Sequence, residues 1–212
     1  MTDLIFYTNP QSRGQTVRWM LEEVGAPYDT EILDYASTMK AEPYLSINPM
    51  GKVPAIKHKG KVVTEVAAIC CYLADAFPEA GLAPPPADRA DYYRWIFFTS
   101  GPVEAAFSNK AAGWEPTPER QRMFGYGNYD LAIGTFEKAI SGREYIAADF
   151  FTAADLFVGA NVNFMLAFNL LEPRPAFVDY ARRMTDRPAY RRAKEIDSAL
   201  IAEAQARQEQ PA

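Results

Sequence analysis

The run Met50-Gly51-Lys52-Val53-Pro54-Ala55-Ile56, together with Thr64-Glu65-Val66-Ala67-Ala68-Ile69, is where the reading of the fold turns. A Val-Pro pair opening a strand suits a cis peptide, because only X-Pro bonds lower the cis penalty enough for the bond to be kept in a tight turn. Such a turn leaves the Val53 amide and carbonyl facing outward. An extended peptide can bind there by adding itself as a short strand, with main-chain hydrogen bonds in both directions. On the dipeptide alone, an ordinary edge strand begun by proline fits as well. The acidic helix start at Glu65 is what favours the binding edge.

Outward from this stretch, the first part of the chain alternates short β-rich runs with helical patterns. Leu4 to Thr8 reads as a strand, followed by a helix to Val24, a strand from Tyr28 to Ile32 and a helical turn at Ala41 to Leu45. Ala55 to Lys57 and Lys61 to Val63 form a hairpin through Lys59-Gly60, and a helix from Glu65 to Phe77 closes the unit. Alternation of this kind predicts a mixed sheet covered by helices, with one parallel βαβ unit. The proline-rich segment that follows, with its run Pro84-Pro85-Pro86, reads as a linker, since fixed proline dihedrals suit neither helix nor sheet ladder.

Everything after Asp88 reads as helix: Arg89 to Ala112, Pro118 to Ser141, Thr152 to Phe168, Arg174 to Met184 and Pro188 to Ala206. Ser100-Gly101-Pro102 removes a hydrogen bond within the first of these and predicts a bend that opens a cleft. Thr152-Ala153-Ala154-Asp155 has capping-box spacing, and the helix it starts is apolar on nearly all sides, which predicts a central position. The tail from Glu203 to Ala212 is polar and is expected to fray. The expected organisation is an α/β domain over 1–78, a linker over 79–88 and an all-α helical bundle over 89–212.

Composition excludes several classes. With 212 residues, 49% hydrophobic and 23% charged, the chain can bury one large core or two modest ones. A net charge of -5 offers no basic field for a phosphate backbone, so no nucleic-acid partner is expected. The start Met1-Thr2-Asp3-Leu4 lacks a positive n-region and a long apolar run, which leads to the expectation of a cytoplasmic protein. The longest apolar stretch, Phe150 to Leu171, contains Asp155, Asn161 and Asn163 and reads as a buried helix, with no membrane association. Cys70 and Cys71 are adjacent on a predicted helix, where a mutual disulfide would be strained, and read as packing residues. His58 is the sole histidine, no ligand set clusters in sequence, and no metal is expected; His58 reads as a strand surface residue.

Three motifs, in this order and spacing, carry a resemblance over essentially the whole chain. They are Phe6-Tyr7-Thr8-Asn9-Pro10-Gln11-Ser12-Arg13-Gly14 leading into a helix with Arg18 and Glu22-Glu23-Val24-Gly25; Asn48 to Pro54 with Glu65 and Tyr72-Leu73; and the box at Thr152 to Asp155. The chain resembles the bacterial cytosolic glutathione S-transferases. The resemblance implies a thioredoxin-like N-terminal domain, a helical-bundle C-terminal domain, a homodimer, and attack of glutathione thiolate on a small hydrophobic electrophile, as in detoxification. Glutathione would be the co-substrate, with no metal.

A reference thiol is only about 3% thiolate at pH 7, so the protein must supply a donor to sulfur. In serine-type members the donor is a hydroxyl at the end of the first βα loop, a position Ser12 matches; in tyrosine-type members it ends the first strand, which Tyr7 matches. Ser12 is preferred, because its loop delivers it to a helix N-terminus whose partial positive charge also favours an anion. Ser12-Arg13-Gly14-Gln15 is also a good S-x-x-Q capping box, so the same oxygen has a competing structural use. An aromatic such as Tyr7 in a first strand is often core. Arg13 could favour the thiolate electrostatically, while Arg18, on the polar side of its helix, suits a salt bridge.

For the rest of the tripeptide, the resemblance assigns Val53 to backbone pairing, Pro54 to fixing the turn, Glu65 to the γ-glutamyl ammonium and Lys52 to the glycyl carboxylate. The family commonly has Ser after this Glu, and here the residue is Val66; backbone amides, or Thr64 as N-cap or substitute hydroxyl, would then hold the γ-glutamyl carboxylate. The electrophile is expected between the domains against Tyr93, Phe97, Phe98, Ser100 and Phe107, with Trp114 near the mouth. Asn9-Pro10-Gln11-Ser12 has no Cys-x-x-Cys, which excludes dithiol exchange there. The competing reading is a non-catalytic binding or dimeric interaction protein of the same fold, since fold alone does not establish chemistry.

Overall fold

Side chains alternate across the first strand and decide how the sheet is covered. In the computed structural model, which describes residues 2–209, β1 (Leu4–Thr8) sits inside a four-stranded sheet of order β2-β1-β3-β4. It pairs parallel with β2 (Asp29–Ile32) and antiparallel with β3 (Ala55–His58), which pairs antiparallel with β4 (Lys61–Thr64). Tyr7 packs with Leu33, Met39, Tyr44 and Ala55, and with the half-buried Ile5, Ile47 and Val53. Phe6, between Ile5 and Tyr7 in sequence, lies beneath the Arg18 guanidinium and edge-on to Tyr28. Helices α1 (Gly14–Val24), α2 (Tyr44–Ile47) and α3 (Val66–Ala76) complete a thioredoxin-like arrangement.

The chain divides by its contacts into two units, residues 1–80 with 187–212, and residues 81–186. Composition grouped the last helix with the helical segment 89–212; in the structure α9 (Pro188–Glu209) packs on α1 in the first unit. The reason is a set of side chains on α1 that α9 and the Arg187 just before it engage. Arg18 is 1% exposed, donating from Nε to Asp197 Oδ1 at 2.7 Å and from Nη1 to Tyr28 Oη at 3.2 Å. Arg187 reaches Glu23 through two bonds of 2.6 and 2.9 Å, Lys194 donates to Gln15 at 3.0 Å, and Trp19 meets Tyr190 edge to face at 5.0 Å. The expected salt bridge of Arg18 thus exists, but the side of α1 that reads as polar is covered by α9. The expected fraying from Glu203 is not seen as far as Glu209; residues 210–212 lie outside the described residues.

The proline-rich segment, expected to hold neither helix nor sheet ladder, contains two short 3-10 turns, Pro78–Ala80 and Pro86–Asp88. In the second unit, α4 (Ala90–Phe98) and α5 (Glu104–Ala111) are joined by a π-helical turn, Thr99–Val103, that contains Gly101 and Pro102. Proline's missing N–H is absorbed there by the wider turn. The helix expected from Pro118 begins only at Tyr129: α6 (Tyr129–Ile140) is capped by Asn128, whose side chain accepts from the Leu131 amide at 2.8 Å. Gly127 just before it adopts φ +69°, which ends the irregular segment in a conformation that favours glycine. α7 (Ala153–Ala167) runs through the core of this unit, flanked by α8 (Pro175–Thr185).

The start of α7 is sealed. Thr152 Oγ1 accepts from the Ala154 amide at 3.2 Å, and Asp155 Oδ2 accepts from the Thr152 amide and hydroxyl at 3.0 and 2.9 Å. Its other oxygen accepts from the Ile146 amide at 2.7 Å and the Tyr180 hydroxyl at 2.8 Å. Burial raises the Asp155 carboxyl above its ordinary range, and these four donors pull it back down.

Candidate functional site

The Val53–Pro54 peptide is cis, as is Glu42–Pro43, which the sequence does not signal. Neither the amide nor the carbonyl of Val53 has a hydrogen-bond partner among the described residues. The residue before it is held firmly. The Lys52 carbonyl accepts from Tyr44 Oη at 2.5 Å and from Asn48 Nδ2 at 2.8 Å, while Asn48 Oδ1 takes the Met50 amide at 3.1 Å. The Lys40 ammonium donates to the Gly51 carbonyl. The sequence alone gives Tyr44 and Asn48 no role. Asn48 belongs to the Asn48–Pro54 motif, but only the fold reveals that a buried amide and a buried phenol converge on one carbonyl. Burial pushes the Tyr44 hydroxyl up to about 12, so it stays a donor at neutral pH.

Glu65 has φ +68° and ψ 122°, an unusual backbone for a residue other than glycine. It is the N-cap of α3, and its side chain is exposed and makes no capping bond. The amides of Val66, Ala67 and Ala68 have no acceptor among the described residues; the first amide of α3 to be satisfied is that of Ile69, by the Glu65 carbonyl at 2.9 Å. Thr64 ends β4 and is not the N-cap. The helix therefore offers three amides and its positive dipole end to an anion, beside an exposed carboxylate suited to an ammonium. Lys52 is exposed.

Ser12 stands at the end of the β1–α1 loop, half-buried. Its hydroxyl donates to the Asn9 carbonyl at 2.7 Å and accepts from the Gly14 amide at 2.9 Å. The S-x-x-Q box does not form: Gln15 Nε2 turns to the Pro10 carbonyl at 2.6 Å, and the Ser12 amide goes to the Asn9 carbonyl at 3.0 Å. Arg13, half-buried, occupies the N-cap of α1 and caps nothing with its side chain. Gly14 is required by close approach, since a Cβ there would stand 2.0 Å from Thr8 Oγ1 and 2.9 Å from Ser12 Oγ. Tyr7 is a core residue, its ring 5.7 Å from that of Tyr44, and its hydroxyl has no partner among the described residues. Burial and the charge of Glu31 raise its pKa, which keeps it protonated.

In the first unit, then, Val53 packs at the margin of the cluster that holds Tyr7, Pro54 follows it as a buried residue, and Thr64, Glu65 and Val66 lie together at the β4–α3 junction. The expected surface position of His58 is corrected: it is 5% exposed, with Nδ1 3.0 Å from Tyr72 Oη and its ring stacked on Phe77, because β3 lies against α3 there. Cys70 is fully buried and Cys71 half-buried, both as free thiols. Among the described residues no group of three or more His, Cys, Asp or Glu side chains gathers as a metal would need, and no helix is long and apolar enough to cross a membrane.

The proposed electrophile residues all lie in the second unit and do not form one set. Tyr93 and Phe97 are exposed neighbours on α4, with rings 6.5 Å apart. Phe98 lines a cavity of about 480 Å³ with Phe124, Tyr126, Leu131 and Thr135. Ser100 lies in the π-helical turn, its hydroxyl 3.4 Å from the Phe97 carbonyl. Phe107 is separate, buried against Phe164 in the core. Trp114 is half-exposed and meets Phe124 edge to face at 5.1 Å.

An edge with free main-chain groups beside an open helix start is what the comparisons with known proteins bear on. The chain is similar to glutathione S-transferases, and the match to their N-terminal domain spans residues 12–76. It is similar to protein LigF of Sphingobium sp. (strain NBRC 103272 / SYK-6), 29% identical with 66% of this chain and 67% of that protein covered. It is also similar to glutathione S-transferase GST-4.5 of Xanthomonas campestris pv. campestris, 27% identical with 72% and 78% covered. Among solved structures, the glutathione transferase URE2P6 from Phanerochaete chrysosporium, in complex with oxidized glutathione, has the same fold, with a TM-score of 0.74 at 24% identity over 93% of this chain and 97% of that one. The transferase fold accounts for both the four-stranded sheet and the helical segment that follows it.

Proposed function

We propose that this chain is a glutathione transferase that binds reduced glutathione and joins its thiolate to a small hydrophobic electrophile. The observation that carries the proposal is the Val53 main chain. Both its polar groups are unpaired, on a loop whose preceding carbonyl is gripped by Tyr44 and Asn48. Buried main-chain groups rarely go unpaired, so such an edge suits an added peptide strand. In this reading the cysteinyl residue pairs with Val53, the γ-glutamyl carboxylate meets the amides of Val66 to Ala68, and the ammonium meets Glu65. Lys52 serves the glycyl carboxylate, Pro54 shapes the edge, and Thr64 and Arg13 flank it. Ser12 is the thiolate donor. Tyr93, Phe97, Phe98, Ser100 and Phe107 remain the residues proposed to meet the electrophile. The working protein is a cytoplasmic homodimer whose α/β domain covers 1–78 and whose helical domain begins at 89.

One observation favours a second donor: the Tyr7 hydroxyl is unpartnered, whereas the Ser12 proton is already given to Asn9. Calorimetric titration with reduced glutathione and S-hexylglutathione tests the main proposal. One saturable site per subunit is expected, with turnover of a generic aryl halide. Binding without any turnover would favour a non-catalytic ligand-binding protein, and no binding of either ligand at millimolar concentration would overturn the glutathione reading.

A further inference from the structure

The Asn9 carbonyl is the most heavily used acceptor of the β1–α1 loop. It takes the Ser12 amide at 3.0 Å, the Ser12 hydroxyl at 2.7 Å and the Thr8 hydroxyl at 3.3 Å. The Asn9 side chain pins this carbonyl from both sides, since Nδ2 donates to the Leu33 carbonyl at 2.8 Å and Oδ1 accepts from the Gln11 amide at 3.0 Å. Loop, strand β2's exit and helix start are thereby tied to one residue. Ser12 Oγ is fixed separately by the Gly14 amide, so its position does not depend on where its proton points.

A hydroxyl has one proton and two lone pairs. With the oxygen held by Gly14, rotation about the Cβ–Oγ bond can redirect the proton with no movement of heavy atoms. If the proton leaves the Asn9 carbonyl, that carbonyl keeps the Ser12 amide and is not orphaned. A neutral thiol is a weak acceptor and cannot compete with a carbonyl for the proton. A thiolate can, because hydrogen bonds to a charged group are roughly twice as strong as neutral ones.

We propose that Asn9 is a positioning residue for thiol activation, its carbonyl holding the Ser12 hydroxyl proton while the sulfur is a thiol and releasing it when the sulfur is an anion. This rests on the reading in which Ser12 faces the glutathione sulfur. The hydroxyl keeps its proton throughout, and the thiol proton leaves to solvent. Asn9 thus acts through Ser12 and need not touch glutathione. The donor bond to sulfur comes only with the anionic state, and the thiolate gains by the difference between that charge-assisted bond and the neutral bond to Asn9 that it replaces.

The test compares wild type, Asn9→Ala, Ser12→Ala and the double variant. Three quantities are read: the pKa of bound glutathione from thiolate ultraviolet absorbance, the affinity for S-methylglutathione, which has no proton to lose, and the melting temperature. Asn9→Ala is expected to raise the bound thiol's pKa by roughly half to one unit, with turnover at neutral pH falling about threefold to tenfold. Its affinity for S-methylglutathione should stay within about twofold of wild type, and the double variant should match Ser12→Ala, as for residues acting in one chain. An unchanged thiol pKa, an equal further rise in the Ser12→Ala background, or a parallel loss of S-methylglutathione affinity would each overturn the proposal. Should Asn9→Ala fail to fold, Asn9→Ser keeps an oxygen for the Gln11 amide and loses the reach to Leu33; it is expected to shift the pKa in the same direction by less, and no shift overturns the proposal. Wild type that leaves the bound thiol's pKa at its solution value would overturn the transferase reading first, and this inference with it.

Discussion

Helices α7 and α3 begin in opposite ways. At α7, Thr152 and Asp155 satisfy one another and the neighbouring amides, and the carboxylate also ties in Ile146 and Tyr180, so that every polar atom of the box is spent inside the protein. At α3 the N-cap is a residue with positive φ whose side chain caps nothing, and three successive amides have no acceptor. A helix start leaves several amides to be satisfied by side chains, water or a ligand. The first helix start is built to hold a core together. The second leaves its amides available, and it stands at the edge where main-chain groups of Val53 are also free. Helix α1 lies between the two cases: the Ser12 oxygen that caps the Gly14 amide is also the oxygen proposed to serve the thiolate.

The sealed start should be the costliest to break. Asp155→Ala leaves two amides and two hydroxyls without their acceptor in the core of the second unit, and is expected to lose about 3 to 5 kcal/mol of stability. Denaturant unfolding checks this, with glutathione affinity of the remaining folded protein unchanged. A loss below about 1 kcal/mol would mean that water readily replaces the carboxylate. At the intermediate start, Ser12→Ala is expected to cost only about 1 kcal/mol of stability through the Gly14 amide. Its effect on turnover should be far larger, about tenfold to a thousandfold, with a raised pKa of bound glutathione. If that pKa does not move, Tyr7, with its unpartnered hydroxyl, becomes the donor.

The open start allows a test by addition. Val66→Ser places a hydroxyl where the family commonly has one, and a side-chain bond to the γ-glutamyl carboxylate is expected to tighten glutathione binding by up to about tenfold in a calorimetric titration. Unchanged affinity would indicate that the amides of Val66, Ala67 and Ala68 already hold the carboxylate, and would sharpen the contrast with α7.

The contrast also marks what could be read in the sequence. The box at Thr152 to Asp155 was legible because its capping bonds lie within four residues, and the cis peptide at Val53 because the Val-Pro pair opens a strand. The strands were legible from local alternation and turn residues. What could not be read depends on contacts distant in sequence. Arg18 looks like a surface residue until α9 brings Asp197 to it from 179 positions away. Tyr44 and Asn48 gain their role only when the loop folds back to bring the Lys52 carbonyl between them. The helix expected from Pro118 is a different case: Gly125 and Gly127 are local helix breakers visible in the sequence, and the helix starts only after them, at Tyr129. The competing uses of Ser12 were visible in sequence, but which carbonyl takes its proton was not.

An open helix start must be held from elsewhere along its length, and His58 supplies a pH-dependent part of that hold on α3. Its ring is bonded to Tyr72 in the middle of the helix and stacked on Phe77 at its end. Burial, with help from Lys59 and Lys61 and against Asp3, lowers the His58 pKa in the folded state. The unfolded chain therefore takes up a proton at this residue at higher pH than the folded one does. Stability from neutral His58 is present above the unfolded value, near 6.5, and is lost as pH falls through the lowered folded value. Melting temperatures between about pH 7.5 and 5 should fall more steeply for wild type than for His58→Gln, which cannot titrate, and this is the smallest of the expected effects. Equal slopes would mean that the ring is hydrated enough to charge without cost. The hold on α3 would then rest on its buried side chains Ile69, Cys70, Leu73 and Ala74.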